Sequence, residues 1–341
     1  MADTDAPKKR QNYALHSLTG IILIVLTGIK FNMGLISQDQ ILALGRFAMP
    51  LFFIISGYYL FSADGHSERG LPRKALHILF LIVFIKLFYL VLDIMYLCAG
   101  IIDLDYLITS FVFCEGNTQH VWFVYALFLL YAWWWLMRRY HVNVKKVSWT
   151  MSAIVLIAII LFGVVLRGFG IEYVGGMTSL LISNLIYPFI GIPFFTIGYY
   201  LHMYKDGFDA RFSTPVLLII SLLGLFVPVA TSFFIPSSTL YVGSIFAAVG
   251  LFMLTFRVPE DVLRCRFTEF LGRNLKPFLY AFFPAVVFFM QHVLLASMER
   301  TMAYHVLGAV LCIIGNLLLS YCTYRLLVHV GSRRKVKGTK A

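Results

Sequence analysis

The sequence predicts an all-α, polytopic membrane helical bundle of about ten transmembrane helices with both termini cytoplasmic. Three observations carry that prediction. First, 60% of the 341 residues are hydrophobic and 13% charged, against about 45–50% and about 25% in soluble domains, and the mean hydropathy is +0.84. Second, apolar runs approaching the roughly 20 residues that span a bilayer core recur between short polar connections. Third, Lys and Arg gather on alternate connections, the sign of a fixed orientation in a membrane. A soluble domain is excluded by the composition. A transmembrane β-barrel is excluded by near-continuous apolar runs at 153–165 and 217–226, where a barrel would alternate.

The predicted spans lie at 14–34, 42–62, 75–101, 119–137, 150–167, 178–202, 214–234, 238–256, 275–297 and 303–329. The first follows Lys8-Lys9-Arg10 with no small-residue cleavage site, so it is expected to be an uncleaved span. An even number of spans puts both basic ends on one side. On that side the connections and tails hold 22 Lys and Arg, and the opposite side holds Arg167 and Arg300. The net charge of +12 is thereby explained by orientation, and no nucleic acid partner is needed. The chain reads as a single domain, 1–341, with basic cytoplasmic tails at 1–13 and 330–341. No internal repeat of the kind that builds secondary transporters is visible. Cys98, Cys114, Cys265, Cys312 and Cys322 show no paired spacing and are expected to pack, with neither a metal site nor a disulfide framework.

Ionisable residues inside spans cost about 2.5–3.5 kcal/mol on insertion scales and are functional candidates for that reason. Lys30, Arg46 and His120 fall at the same predicted depth, near the outer ends of spans one, two and four. Lys30 and Arg46 also suit snorkelling anchors. Arg46 offers five fixed donors to a carboxylate or phosphate, and His120 titrates near neutrality and suits a general base. Trp122 adjoins His120, and Glu115 lies within reach of it along the chain. Ser56 and Gly57, in the middle of span two, suit close helix packing or a substrate contact. Lys86 and Asp93 are seven residues apart on one face of span three, too far for a direct pair, and are expected to be structural. Trp133-Trp134-Trp135 reads as an interfacial anchor.

The stretches Pro50-Leu51-Phe52-Phe53-Ile54-Ile55-Ser56-Gly57, with Arg46 before them, and His120-Val121-Trp122-Phe123 resemble motifs of the acyltransferase-3 family. The resemblance extends to Pro193-Phe194-Phe195-Thr196-Ile197-Gly198-Tyr199-Tyr200 and to Leu279-Tyr280-Ala281-Phe282-Phe283-Pro284. It implies an integral membrane enzyme moving acyl groups, commonly acetyl, from acyl-CoA to sugars of surface polysaccharides or glycolipids at the cell membrane, without a metal. Three positions depart from the family pattern. Thr19 stands where the first span usually carries Arg, Lys30 where it carries a His taken as catalytic, and Phe283 where the ninth span carries His. Positions 19 and 30 still share a helix face, about 16 Å apart.

Two functions stay open. In the first, His120 acts as base on a glycan hydroxyl, Lys30 supports the developing oxyanion or relays the acyl group, and Arg46, with Trp122, Ser56 and Glu115, binds substrate. In the second, the fold persists without catalysis and serves binding, transport or assembly in envelope glycan synthesis.

Overall fold

The computed structural model describes residues 6–31, 38–61, 70–113, 118, 120–160, 177–204, 207, 212–234, 242–257, 265–298 and 301–338. Among the described residues all regular structure is helical, with no strand. The helices are α1 (Ala6–Phe31), α2 (Gln38–Gly45), α3 (Ala48–Leu60), α4 (Leu71–Cys98), α5 (Leu104–Val112), α6 (Val121–Arg139) and α7 (Val144–Ile160). They continue with α8 (Met177–Met203), α9 (Thr214–Ser232), α10 (Val242–Leu254), α11 (Arg266–Phe270), α12 (Lys276–Phe289) and α13 (Met302–Gly338), with π-helical turns at Leu271–Leu275 and Met290–Leu294 on either side of α12.

Among the described residues six segments are long and apolar enough to cross a membrane: Ala43–Leu60, Leu71–Cys98, Val121–Arg139, Thr214–Ser232, Arg266–Leu294 and Ala303–His329. The other four predicted spans fall on shorter apolar helices, at Ala14–Ile29, Lys146–Ala158, Phe189–Met203 and Gly243–Leu254. The two tails are more regular than expected. α1 begins at Ala6, inside the N-terminal tail, and α13 runs on through the basic segment to Gly338.

The chain forms two compact units, one of residues 42–254 and one of 1–41 with 255–341. Within the first, α3, α6 and α8 run parallel. Contacts of Leu130 with Gly191, Tyr131 with Phe195 and Trp134 with Tyr199 advance together along α6 and α8. Those of Phe53 with Gly191, Gly57 with Phe195 and Phe61 with Tyr199 do so along α3 and α8. Without water, neither packing nor backbone polarity gets help from solvent, so the helices close on small residues. A Cβ on Gly57 would strike the Phe195 carbonyl, and one on Gly198 the Ile54 carbonyl. α9 and α10 meet the same way through Ser221, Gly224 and Pro228 against Gly243, Ala247 and Gly250.

α4 leaves most of its apolar surface exposed, as α9 does. Phe80 and Val91 are 64% and 60% exposed, while Tyr89 and Asp93 are buried, so its polar residues point inward and its apolar ones outward. It closes with Gly100 at φ +70°, a conformation glycine tolerates, and the Ala99, Gly100 and Ile101 amides satisfy the last carbonyls. Span hydroxyls are disposed of locally: Thr19, Thr27, Ser56 and Ser221 each donate to the carbonyl four residues back.

In the second unit α1 packs on the π turn at 271–275, where a Cβ on Gly272 would strike the His16 carbonyl. Pro277, just beyond, has no amide to offer the Arg273 carbonyl, which loosens this turn. Farther along α1, Asn316 of α13 donates to Thr27 Oγ1 at 3.1 Å and to the Leu279 carbonyl of α12 at 3.2 Å, joining three helices through one buried amide.

Trp134 corrects the reading of the Trp run as an anchor. It is 1% exposed and packs on Phe195 and Tyr199, while its neighbour Trp135 is exposed. Of the cysteines expected to pack, Cys312 is buried, whereas Cys98, Cys265 and Cys322 are exposed; Cys114 lies outside the described residues.

Candidate active site

His120 caps the start of α6 and is buried, with both ring nitrogens shielded from solvent. Its position is set by α4. Lys86, Tyr89 and Asp93, at i, i+3 and i+7, form one stripe of that helix. Lys86 Nζ donates to the carbonyls of Ser110 and Phe113 at 2.8 and 2.9 Å and to Thr118 Oγ1 at 3.0 Å. Ser110 Oγ in turn donates to Asp93 Oδ2 at 2.8 Å. Tyr89, wholly buried, meets the His120 ring edge-on, with centroids 5.3 Å apart. One ammonium thus gathers the carbonyl end of α5 and the residue two before His120, and the carboxylate holds Ser110 of the same short helix. Both charges are spent on structure, as expected from their spacing, and the structure they build is the approach to His120.

α5 begins where Asp103 caps it, accepting the Tyr106 amide at 2.7 Å. Its C-terminal carbonyls carry partial negative charge, and an ammonium is the favourable partner there.

Arg46 stands at the break between α2 and α3, its amide turned back to the Ala43 carbonyl at 3.3 Å and its Nε shielded from solvent. Phe123 of α6 lies 5.8 and 4.7 Å from Phe52 and Phe53 of α3, and Trp122 lies 6.4 Å from Phe53, ring centre to ring centre. From that contact Arg46 is about 10 Å back along the chain axis and His120 about 4 Å. The two helices are parallel, so both residues lie toward the same end of the α3–α6 contact, about 6 Å apart along it. Half-buried Trp122 lies on the contact side of His120, against Phe53 and Phe123.

Ser56 is already engaged, donating to the Phe52 carbonyl at 2.8 Å and hydrogen-bonding the Tyr131 hydroxyl. Its neighbour Gly57 provides the close approach to α8. Glu115 lies outside the described residues. Lys30 is placed by its backbone in the last turn of α1, and its side chain lies outside the described residues. Thr19 is buried with its hydroxyl on the Leu15 carbonyl, and Phe283 is buried against Tyr280. Among the described residues no three His, Cys, Asp or Glu side chains group as metal ligands.

One buried imidazole escaped the sequence reading. His305, on α13, is 4% exposed, and with His120 it makes up the buried histidines among the described residues. Its signal in the sequence was present: His305, Gly308, Cys312, Asn316 and Ser320 repeat at helical spacing inside a span.

A family model described as an acyltransferase domain, Acyl_transf_3, matches residues 13–325, nearly the whole chain. The chain belongs to the acyltransferase-3 family. For this acyltransferase-3 protein no curated protein and no solved structure gives a match. Membership makes it a membrane acyltransferase by family and accounts for the motif residues around Arg46 and His120 lying together in one helical unit.

Proposed function

We propose that this protein moves a short acyl group, acetyl foremost, from cytoplasmic acyl-CoA to a hydroxyl of a cell-surface glycan or glycolipid. It does so as one domain, 1–341, crossing the cell membrane about ten times with both termini cytoplasmic. His120 takes the acceptor proton as the hydroxyl oxygen attacks the thioester carbonyl carbon, and returns a proton to the departing thiolate. Arg46 holds a charged part of donor or acceptor, with Trp122, Ser56 and Glu115 toward the acceptor, and Lys30 supports the oxyanion. The observation that carries this reading is the hold of Lys86, Tyr89 and Asp93 on the approach to His120. Two charges inside a membrane span, each costly there, converge on the placement of one motif histidine.

A second reading, a fold that binds glycan without turnover, is favoured by Thr19 and Phe283, whose side chains are committed to the Leu15 carbonyl and to the core. The test is acetyl-CoA turnover and transfer by the purified chain in lipid nanodiscs, with His120→Ala and Lys30→Ala beside it, and acylation of surface glycans in cells with and without the gene. Loss of activity by about 100-fold or more in His120→Ala is expected, in the range of a general base. Glycan binding without turnover of any short acyl-CoA selects the second reading.

A further inference from the structure

Both basic tails belong to one compact unit, residues 1–41 with 255–341, and each continues a long helix of that unit. α1 and α13 run antiparallel. Thr27 meets Asn316, a Cβ on Gly28 would lie 3.5 Å from Ile313, and a Cβ on Gly308 would strike the Phe31 ring. Both helices also pack on the segment that joins α11 to α12. The His16 carbonyl touches Gly272, and the Phe270 ring lies 5.6 Å from Tyr324 and 6.4 Å from Tyr321, centre to centre. Past these contacts the apolar parts of α1 and α13 stop at Ala14 and His329, while both backbones stay helical out to Ala6 and Gly338. Lys8-Lys9-Arg10 and Arg333-Arg334-Lys335 each lie four to six residues beyond those limits, or about 6–9 Å. The antiparallel register puts the two triplets at one level. The headgroup layer on each side of a bilayer core is about 5–7 Å deep, so both triplets stand at the depth of the lipid phosphates.

Charge at this end is one-sided. Segments 6–16, 266–276 and 325–338 together hold eleven Lys and Arg and one acid, Glu269. Glu269 meets Arg273 at 3.9 Å, and that Arg side chain stays 64% exposed. Arg273 and Lys276 both lie within electrostatic reach of the His16 ring, and Arg325 lies over the Tyr321 ring, 5.9 Å from its centre. Cations from the π turn, α12 and α13 thus collect at the end that carries the tails. Orientation in a membrane asks only that positive charge stay on one side, and charges spread over separate connections satisfy it. Gathering them on helix ends of one unit, at one level, adds mutual repulsion that an anion relieves.

We propose that this end of the unit is a binding site for anionic phospholipid headgroups of the leaflet on the side of the termini, with the two tail triplets holding the phosphates. Arg273 and Arg325 reach the same layer from the edge of the apolar region, as long cationic side chains do. The complementarity is one of charge and depth: phosphates are fixed at that depth across the whole leaflet, and each Lys or Arg near such a surface strengthens the hold about fivefold. A guanidinium takes two phosphate oxygens through its fork and an ammonium acts as a point charge, so an open surface serves and no enclosed cavity is needed. The site goes beyond acyl transfer and does not depend on it.

The test uses the full chain in neutral detergent, titrated with phosphatidylglycerol or phosphatidylcholine of matched acyl chains, with bound lipid read by native mass spectrometry. Wild type is expected to retain phosphatidylglycerol about tenfold or more over phosphatidylcholine, with the preference shrinking as ammonium acetate rises from about 0.05 to about 0.5 M. Lys8→Gln with Lys9→Gln and Arg10→Gln, and separately Arg333→Gln with Arg334→Gln and Lys335→Gln, are each expected to cut the preference about fivefold or more. Arg139→Gln with Lys145→Gln and Lys146→Gln removes the same number of charges at the turn between α6 and α7, in the other unit, and is expected to stay within about twofold of wild type. Equal retention of the two lipids by wild type, a preference that ignores salt, or equal losses in the tail and turn variants overturns the proposal. Displacement of bound phosphatidylglycerol by inorganic phosphate or coenzyme A also overturns it and assigns the charges to a soluble phosphate instead. Acyl transfer enters none of these readouts, so loss of that reading leaves the lipid site standing, and the reverse.

Discussion

Replacing Lys86 with Met separates the positioning of His120 from the stability of the fold. The ammonium makes three charge-assisted hydrogen bonds, at 2.8, 2.9 and 3.0 Å, each worth about 1.5–3 kcal/mol. Part of the loss is made up, because the single Thr118 hydroxyl proton can go to the Ser110 carbonyl at 2.5 Å or the Phe113 carbonyl at 3.3 Å. Removing a cation from a span returns about 2.5–3.5 kcal/mol, so much of the loss is offset. Placement suffers more. The segment from Ser110 to Thr118 loses the node that joins it to α4, and a displacement of about 1 Å at His120 is enough for roughly a 100-fold loss of rate. The assays are the thermal midpoint in nanodiscs, acetyl-CoA turnover, and amide exchange across α5. Expected are a small thermal shift, acetyl-CoA turnover slowed by about tenfold or more, faster exchange in α5, and partial recovery in Lys86→Arg. Unchanged α5 exchange in Lys86→Met, or wild-type turnover with α5 released, would refute the reasoning.

Gly57→Ala puts a methyl group into the Phe195 carbonyl and is expected to cost about 1–3 kcal/mol, while Gly207→Ala, with open space around it, should stay within about 0.5 kcal/mol; equal thermal midpoints would contradict the backbone contact of α3 with α8. Asn316→Ala strips one amide from Thr27 and Leu279 and is expected to lower stability by about 1–3 kcal/mol; an unchanged denaturation curve would show that the amide links nothing. Cys265, exposed before α11, has its thiol pKa lowered by hydrogen bonding with the backbone at Thr268 and Phe267. Its folded form therefore carries more thiolate near neutral pH than the unfolded chain, and the difference closes as pH rises past the ordinary thiol range. Iodoacetamide at mildly alkaline pH should label Cys265 faster in the folded protein than in detergent-denatured chain, and the reverse order would count against that hydrogen bonding.

Much of the fold was legible because hydropathy acts over whole segments. The run from Leu71 to Cys98 has nowhere to go except a membrane, and small residues such as Gly57 announce a close crossing. The break at Arg46 was not legible, because the apolar run continues through it and only the local turn at Ala43–Phe47 interrupts the helix. Lys86 and Asp93 could be read as structural from their spacing. Their partners Ser110, Phe113 and Thr118 could not, since they lie 17 to 32 residues away and meet α4 only because capped α5 folds back. Trp134 was misread for the opposite reason. An aromatic run at a span's end looks the same in sequence whether it meets lipid headgroups or Phe195. His305 was overlooked because a lone histidine in an apolar run carries little weight until the stripe of Gly308, Cys312 and Asn316 shows which way it points.

The node at Lys86 also orders events during synthesis. α4 emerges from the ribosome before Ser110, Phe113 and Thr118 have been translated, so the ammonium must enter the insertion machinery with none of its eventual acceptors in existence. The surplus of aliphatic residues around it, at a mean hydropathy of 2.6, carries the segment in alone. The following thirty-odd residues, which carry the acceptors and His120, are translated only after that helix.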